Sequence, residues 1–228
     1  MVFVITNDDG IDAPGMRSLL NAVRQMNLEA IVVAPQSPFS GCGHQVTTTQ
    51  PIRVEQRSEY EYAIAGTPVD CVRIAFSHLC PQVEGVLSGI NAGGNLGTDV
   101  YISGTVAAVR EAAMHRVPGI AFSNYQQENC KINWSMATSR AIRVLDKLLP
   151  ESIEPGTYWN VNLPQYSAQL LEPNIIFCAP CTQPLPNTFR LEDDCFHYSG
   201  KYAKRTYDLG GDVETCFSGH IAVTQLSV

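Results

Sequence analysis

Residues 2–16 read VFVITNDDGIDAPGM. An apolar run of five, ending at Thr6, leads through Asn7 into two adjacent carboxylates, Asp8 and Asp9. A short apolar run closed by turn residues marks a strand buried on both faces. The pattern then changes period. Pro14 sits at a helix start, and Met16, Leu19, Leu20, Val23 and Met26 fall on one helical face. Residues 29–35, EAIVVAP, form a second buried strand. Together these segments make a βαβ unit, with parallel strands and a right-handed crossover.

The alternation continues down the chain. Residues 44–65 are β-like and interrupted by Pro51. In GTPVDCVRIAFSHL, residues 66–79, Thr67 is the N-cap, Pro68 sits in the first turn and Asp70 completes a capping-box pattern. Val69, Val72, Phe76 and Leu79 give that helix its apolar face. VEGVLSG (83–89) is a strand followed by the glycine-rich INAGGNLG. SGTVAAVREAAM (103–114) is a helix beginning between Ser103 and Thr105, and GIAFS (119–123) is a further strand. Residues 132–149 form a helix through Ile132, Ala141, Val144, Leu145 and Leu148, stopped by Pro150. Beyond it, TYWNVNLP, NIIFCA, DCFHYSG and HIAVTQL read as strands in a polar, proline-rich setting. The expected fold class is α/β: a doubly wound, mostly parallel sheet over residues 1–150, with a β-rich extension over 151–228 completing the domain.

The chain has 228 residues, of which 45% are hydrophobic and 16% charged, enough apolar surface for a packed core rather than a disordered chain. A formal net charge of -7 argues against a nucleic-acid duplex or an anionic membrane as partner. It leaves room for a small phosphorylated molecule. No secretory pattern and no bilayer-length apolar run is present, so a cytoplasmic protein is expected. The eight cysteines then read as small apolar residues, and Cys178 and Cys181 of CAPC as core or loop thiols. A zinc site would need a second pair at similar spacing, which the sequence lacks.

Ligands of open parallel sheets bind beyond the carboxyl ends of the strands. NDDG, PQSPFSG and SGINAGGN all fall at such ends, and SGT opens a helix. Two carboxylates about 4 Å apart repel by about 4 kcal/mol at an effective dielectric near 20. A divalent cation removes that conflict, and oxygen ligands suit Mg²⁺, Mn²⁺ or Ca²⁺. Equally, Asp8 or Asp9 caps the next helix, and DDG is ordinary turn chemistry. Ser37, Ser40 and Asn91 offer neutral oxygens for a cation, or are turn residues. Ser103, Gly104 and Thr105 can hold a phosphate at a helix start, or form a plain N-cap. His44 is either a proton carrier or a solvated loop residue. INAGGNLG lacks the GxGxxG spacing of a dinucleotide site, and no GxSxG elbow or Ser–His–Asp set is present.

ITNDDGIDAPGM, VVAPQSPFSG, GTPVDC, SGINAGGNLG, SGTVAAVREAA and NVNLP, in this order, closely resemble the SurE family of stationary-phase survival proteins. The likeness is almost continuous over residues 3–124 and thinner to the C-terminus. It implies a Rossmann-like core with a C-terminal hairpin used in homodimers or homotetramers. It also implies a metal-dependent phosphatase of nucleoside 5′- and 3′-monophosphates, some members also trimming short polyphosphate. One divalent ion per subunit is implied, Mg²⁺ or Mn²⁺, with Ca²⁺ able to stand in for it. Residue by residue, the metal ligands map to Asp8, Asp9, Ser40 and Asn91, the catalytic acids to Asp8 and Asp9, and the phosphate contacts to Asn95, Ser103, Gly104 and Thr105. The second loop departs from the family's APDxxRSG: Gln36 and Phe39 stand where an acid and a base are common. Two other readings are a phospho-signalling receiver, which also pairs acids around Mg²⁺, and a non-catalytic nucleotide sensor. The receiver needs an Asp after its third strand and a Lys near its last, whereas SGIN and GIAFSN supply neither.

Overall fold

The computed structural model describes residues 2–165 and 172–228. In β1 (Val2–Thr6) successive side chains point to opposite sides. Phe3 and Ile5 enter a core shared with α1 (Pro14–Gln25) and α4 (Trp134–Leu148). Val4 enters a second core shared with α2 (Pro68–Ile74) and α3 (Gly104–Met114). Helices thus cover both faces of the sheet, which is why its central strands are apolar on both sides.

Among the described residues the largest sheet has nine strands in the order β3-β4-β2-β1-β5-β6-β7-β11-β8. β2 (Glu29–Pro35) and β5 (Gly85–Ala92) lie parallel on either side of β1, and β6 (Gly119–Asn124) and β7 (Thr157–Leu163) continue parallel beyond β5. β4 (Glu61–Ile64) runs parallel to β2, with β3 (Val54–Ser58) antiparallel on the edge. β11 (Ile221–Ser227) returns antiparallel to β7, and β8 (Ile175–Phe177) lies beside it. β9 (Phe189–Glu192) and β10 (Cys195–Tyr198) form a separate antiparallel hairpin. The chain after residue 150 therefore both widens the core sheet and projects a hairpin from it.

The capping box of α2 forms as its sequence predicts: the Asp70 N–H donates to Thr67 Oγ1 at 3.1 Å, and the Thr67 N–H to Asp70 Oδ2 at 3.0 Å. Elsewhere local chemistry shifts the boundaries. α4 starts at Trp134 rather than Ile132, because Asn133 Oδ1 accepts from the Met136 N–H at 3.1 Å and caps it. Of residues 44–65, only 54–58 and 61–64 pair as strands. α5 (Asp212–Phe217) is a helix where no periodicity announced one, since six residues are too few to show it. β5 runs on past Gly89 to Ala92, instead of ending in a loop. At Gly89, with φ of +129°, a Cβ would lie 2.2 Å from the Phe122 carbonyl oxygen. Only glycine lets the strand kink there and re-pair Asn91 with Ser123.

α1 rests directly on this strand. A Cβ on Gly15 would lie 1.9 Å from the Ile90 carbonyl oxygen. Gly15→Ala must therefore push α1 off β5 next to Asn91. A loss of roughly 3 kcal/mol is expected, as for overpacking at a rigid backbone contact. Chemical denaturation measures it; a midpoint within error of the parent would show that the helix can shift freely.

Candidate active site

Connections leave β1 and β5 in opposite directions, so a crevice opens between their carboxyl ends. The turn after β1 fills one side of it. The Asn7 amide Nδ2 donates to the Gly10 carbonyl at 2.8 Å and closes the turn. The Phe39 N–H donates to the Asp8 carbonyl at 2.7 Å, and the Ile11 N–H to the Pro35 carbonyl at 2.8 Å. These bonds tie the acid turn to the loop after β2 that carries Ser40.

Asp8, Asp9, Ser40, Asn91, Asn95 and Ser103 line one cavity of about 360 Å³. Asp8 is buried and Asp9 half-buried. Burial pushes the Asp8 carboxyl up to about 6; a hydrogen bond from Thr105 opposes this, and the neighbouring Asp9 charge adds to it. Asp9 is also raised by burial, partly offset by the Ala92 N–H, which donates to its Oδ2 at 3.0 Å. Asn91 spends its Nδ2 on the Gly93 carbonyl at 2.9 Å, leaving Oδ1 as the open end of its amide. Ser40 is exposed at the rim.

Two carboxylates in one cavity, both favouring neutralisation, beside a hydroxyl and an amide oxygen, fit a hard divalent cation. Among the described residues, no group of three or more His, Cys, Asp and Glu side chains is placed to hold a metal. Any cation here would draw on the acid pair and neutral oxygens together. Cys178 and Cys181 are free, with Cys181 buried in a small core beside Val213 and Cys216.

Ser103 is the N-cap of α3: its Oγ accepts from the Val106 N–H at 3.1 Å. Gly104 and Thr105 sit behind Asp8. A Cβ on Gly104 would lie 2.8 Å from Asp8 Cβ and 2.9 Å from Cys42 Sγ, so the helix end abuts the acid turn. Sequence reading left Thr105 as either a phosphate contact or part of a plain N-cap; in the structure its hydroxyl donates to Asp8 Oδ1, and Thr105 is fully buried. Asn95 is held from several sides. Its N–H donates to Asn162 Oδ1 at 2.8 Å, and its Nδ2 donates to Ser123 Oγ at 2.8 Å. Its carbonyl accepts from Asn160 Nδ2 at 2.8 Å and Asn162 Nδ2 at 3.0 Å.

His44 does not line this cavity. Its Nε2 meets Glu111 Oε2 on α3 at 2.9 Å, and this bond holds the Glu111 carboxyl below the ordinary carboxylate range. Residues that sequence reading passed over close the far wall: Asp99, Leu185, Tyr198 and Tyr202. Asp99 accepts from the Leu96 N–H at 3.1 Å, from Arg205 Nη1 at 3.0 Å and from the Tyr202 hydroxyl. Only NVNLP held a hint of this architecture: asparagines at alternate positions of an otherwise apolar strand mark buried amides that need partners.

Paired acids and a helix start at the switch point of a doubly wound sheet define an α/β protein whose crevice carries the oxygen and N–H groups suited to a cation and a small anion. The chain belongs to the SurE family: the profile described as survival protein SurE matches residues 3–183. A protein of Nostoc sp. is 54% identical over 228 residues, 100% of each chain. The 5′-nucleotidase SurE of Rhizorhabdus wittichii is 42% identical over 169 residues, 72% of this chain and 66% of that one. The crystal structure of the SurE protein from Aquifex aeolicus superimposes with a TM-score of 0.88 at 29% identity, covering 100% of this chain and 93% of that one.

Proposed function

We propose that this chain is a divalent-metal-dependent phosphomonoesterase releasing phosphate from nucleoside 5′-monophosphates, and from 3′-monophosphates. One observation carries the reading: Asp8 and Asp9 share a cavity with Ser40 and Asn91, at the start of α3. The 5′-nucleotidase names of relatives such as the Rhizorhabdus protein support it.

Asp8, Asp9, Ser40 and Asn91 are the residues that would hold one divalent ion, Mg²⁺ or Mn²⁺. Bound there, the ion would neutralise the acid pair, polarise a phosphoryl oxygen and acidify water. The protein supplies the rest. The first turn of α3 offers its dipole and the Gly104 N–H to the phosphoryl oxygens, since the Val106 N–H is taken by Ser103. Asn95, fixed by Ser123 and the β7 asparagines, presents its edge to the same group. Asp9, oriented by the Ala92 N–H, keeps an oxygen that can accept a proton from water attacking in line. Thr105 acts through Asp8, holding that carboxylate in place.

The exposed Phe189, Leu191 and Phe196 of the hairpin supply apolar surface for a homodimer or homotetramer. A cytoplasmic setting accompanies this reading, because all eight cysteines stand as free thiols. Among the described residues no helix is long and apolar enough to cross a membrane.

The test is phosphate release from a panel of phosphomonoesters, with EDTA and with Mg²⁺, Mn²⁺ or Ca²⁺ added back. Nucleoside monophosphates should turn over with Mn²⁺ or Mg²⁺ and stop with EDTA. Undiminished release in EDTA would remove the metal from the reading. Tight nucleotide binding with no release would make the protein a sensor.

A further inference from the structure

The cavity holds more than a phosphate. Its acid end is made by Asp8, Asp9, Ser40 and Asn91; its other end reaches Leu185, Tyr198 and Tyr202 from the C-terminal extension. The two tyrosines differ in what their rings can still do. Tyr202 is closed in: Arg205 lies over its ring at 5.0 Å, Phe217 and Tyr125 pack near it, and its hydroxyl is spent on Asp99. Tyr198 is 58% exposed, and its hydroxyl donates to the Pro186 carbonyl at 2.8 Å. Phe189 braces it edge-on, 5.6 Å between centroids at 74°. A ring anchored at its hydroxyl, packed against one neighbouring ring and still more than half exposed is a stacking surface that needs little ordering when a ligand arrives.

We infer that Tyr198, with Leu185 beside it, is the shelf on which the base of a nucleotide stacks while its phosphate lies at the acid end. This rests on the nucleotidase reading for its phosphate end. It makes Tyr198 a specificity residue, selecting purine and pyrimidine nucleotides over phosphomonoesters that lack a flat ring. Stacking is tolerant of base identity because every base offers a π-face, so the shelf favours nucleotides as a class.

The experiment compares adenosine 5′-monophosphate with ribose 5-phosphate in the Mn²⁺-loaded protein. Tyr198→Ala should raise KM for the nucleotide roughly ten-fold with little change in kcat, and leave ribose 5-phosphate unaltered. Tyr198→Phe keeps the ring but loses its anchor on the Pro186 carbonyl, and its nucleotide KM should lie between those of the parent and Tyr198→Ala. Equal losses on both substrates, or an unchanged nucleotide KM, would overturn the shelf while leaving the nucleotidase reading intact. A second arm is independent of metal and turnover: saturation-transfer NMR of adenosine in EDTA. Signal with the parent and Tyr198→Phe, lost in Tyr198→Ala, supports the shelf even where no phosphate is released. No adenosine signal from the parent overturns it.

Discussion

Asp8→Asn is expected to lower kcat/KM for phosphate release by about a thousand-fold or more, and at the same time to stabilise the metal-free protein at neutral pH. The first effect follows from losing a charged ligand of the proposed cation, whose stabilisation of transition-state charge would be worth several kcal/mol. The second follows from burial. The Asp8 carboxyl stands at about 6 in the folded chain against 3.8 when unfolded, so the fold binds this proton more tightly than the unfolded chain does. Below about pH 4 both states are protonated and the site costs nothing. As pH rises from about 4 to 6, the unfolded carboxyl ionises first and stability falls. Above that window the loss levels off at about 3 kcal/mol. Asparagine keeps the acceptor for Thr105 and carries no charge, so it escapes this loss. Denaturation midpoints in EDTA at pH 4 and pH 8 measure it: the parent should drop between them and Asp8→Asn should drop less. Adding Mn²⁺ should reverse the order at pH 8 by stabilising only the parent. A variant that keeps most of its turnover, or that is less stable than the parent in EDTA at pH 8, would contradict the account. On this account the acid pair is a site that costs stability until its ligand arrives.

The elements visible in the sequence are those whose causes are local. β1, α1 and β2 announce themselves because apolar spacing switches from continuous to helical and back within residues 2–35. The Thr67–Asp70 box and the Ser103 cap were legible because a cap is settled within three residues. Asp8 and Asp9 stood out because neighbouring like charges need a reason. What the spacing could not carry is contact between distant segments. Thr105 reads as a helix-start hydroxyl, yet its partner is Asp8, ninety-seven positions away, because α3 docks its first turn on the β1 turn. Asn95 looks like one polar residue of a glycine loop, and its environment is set by two asparagines of β7. The wall made by Tyr198 and Tyr202, and the buried Arg205 behind it, had no local signature at all. These are polar residues in an irregular segment, given meaning only by how that segment folds back over residues 96–99.

That fold-back predicts the largest stability effect outside the acid pair. Arg205→Met is expected to cost about 3–5 kcal/mol, the range for removing one partner of a buried ion pair. Arg205 is fully buried and Asp99 nearly so, with Nη1 and Oδ2 3.0 Å apart. Nη2 also donates to the Leu96 carbonyl at 3.3 Å. Methionine fills much of the volume but leaves Asp99 a buried carboxylate without its cation, and leaves the Leu96 carbonyl with the Asp99 N–H, at 3.2 Å, as its remaining donor. For a chain of this length the loss corresponds to a fall of roughly 10 °C in Tm. Pairing the change with Asp99→Leu should recover part of that loss, since an apolar pair strands no charge. Thermal melts of the parent, the single variants and the double variant form the cycle. A single-variant loss below about 1 kcal/mol, the range of an exposed pair, would mean that water reaches Asp99 and that the segment does not seal the cavity. The same bond has a kinetic consequence. Asp99 and Tyr202 line the cavity proposed to receive the nucleotide, and Arg205 holds both. Melting this corner should raise KM for nucleotides before it touches kcat, because the acid pair hangs from β1 and β5 and not from the C-terminal extension.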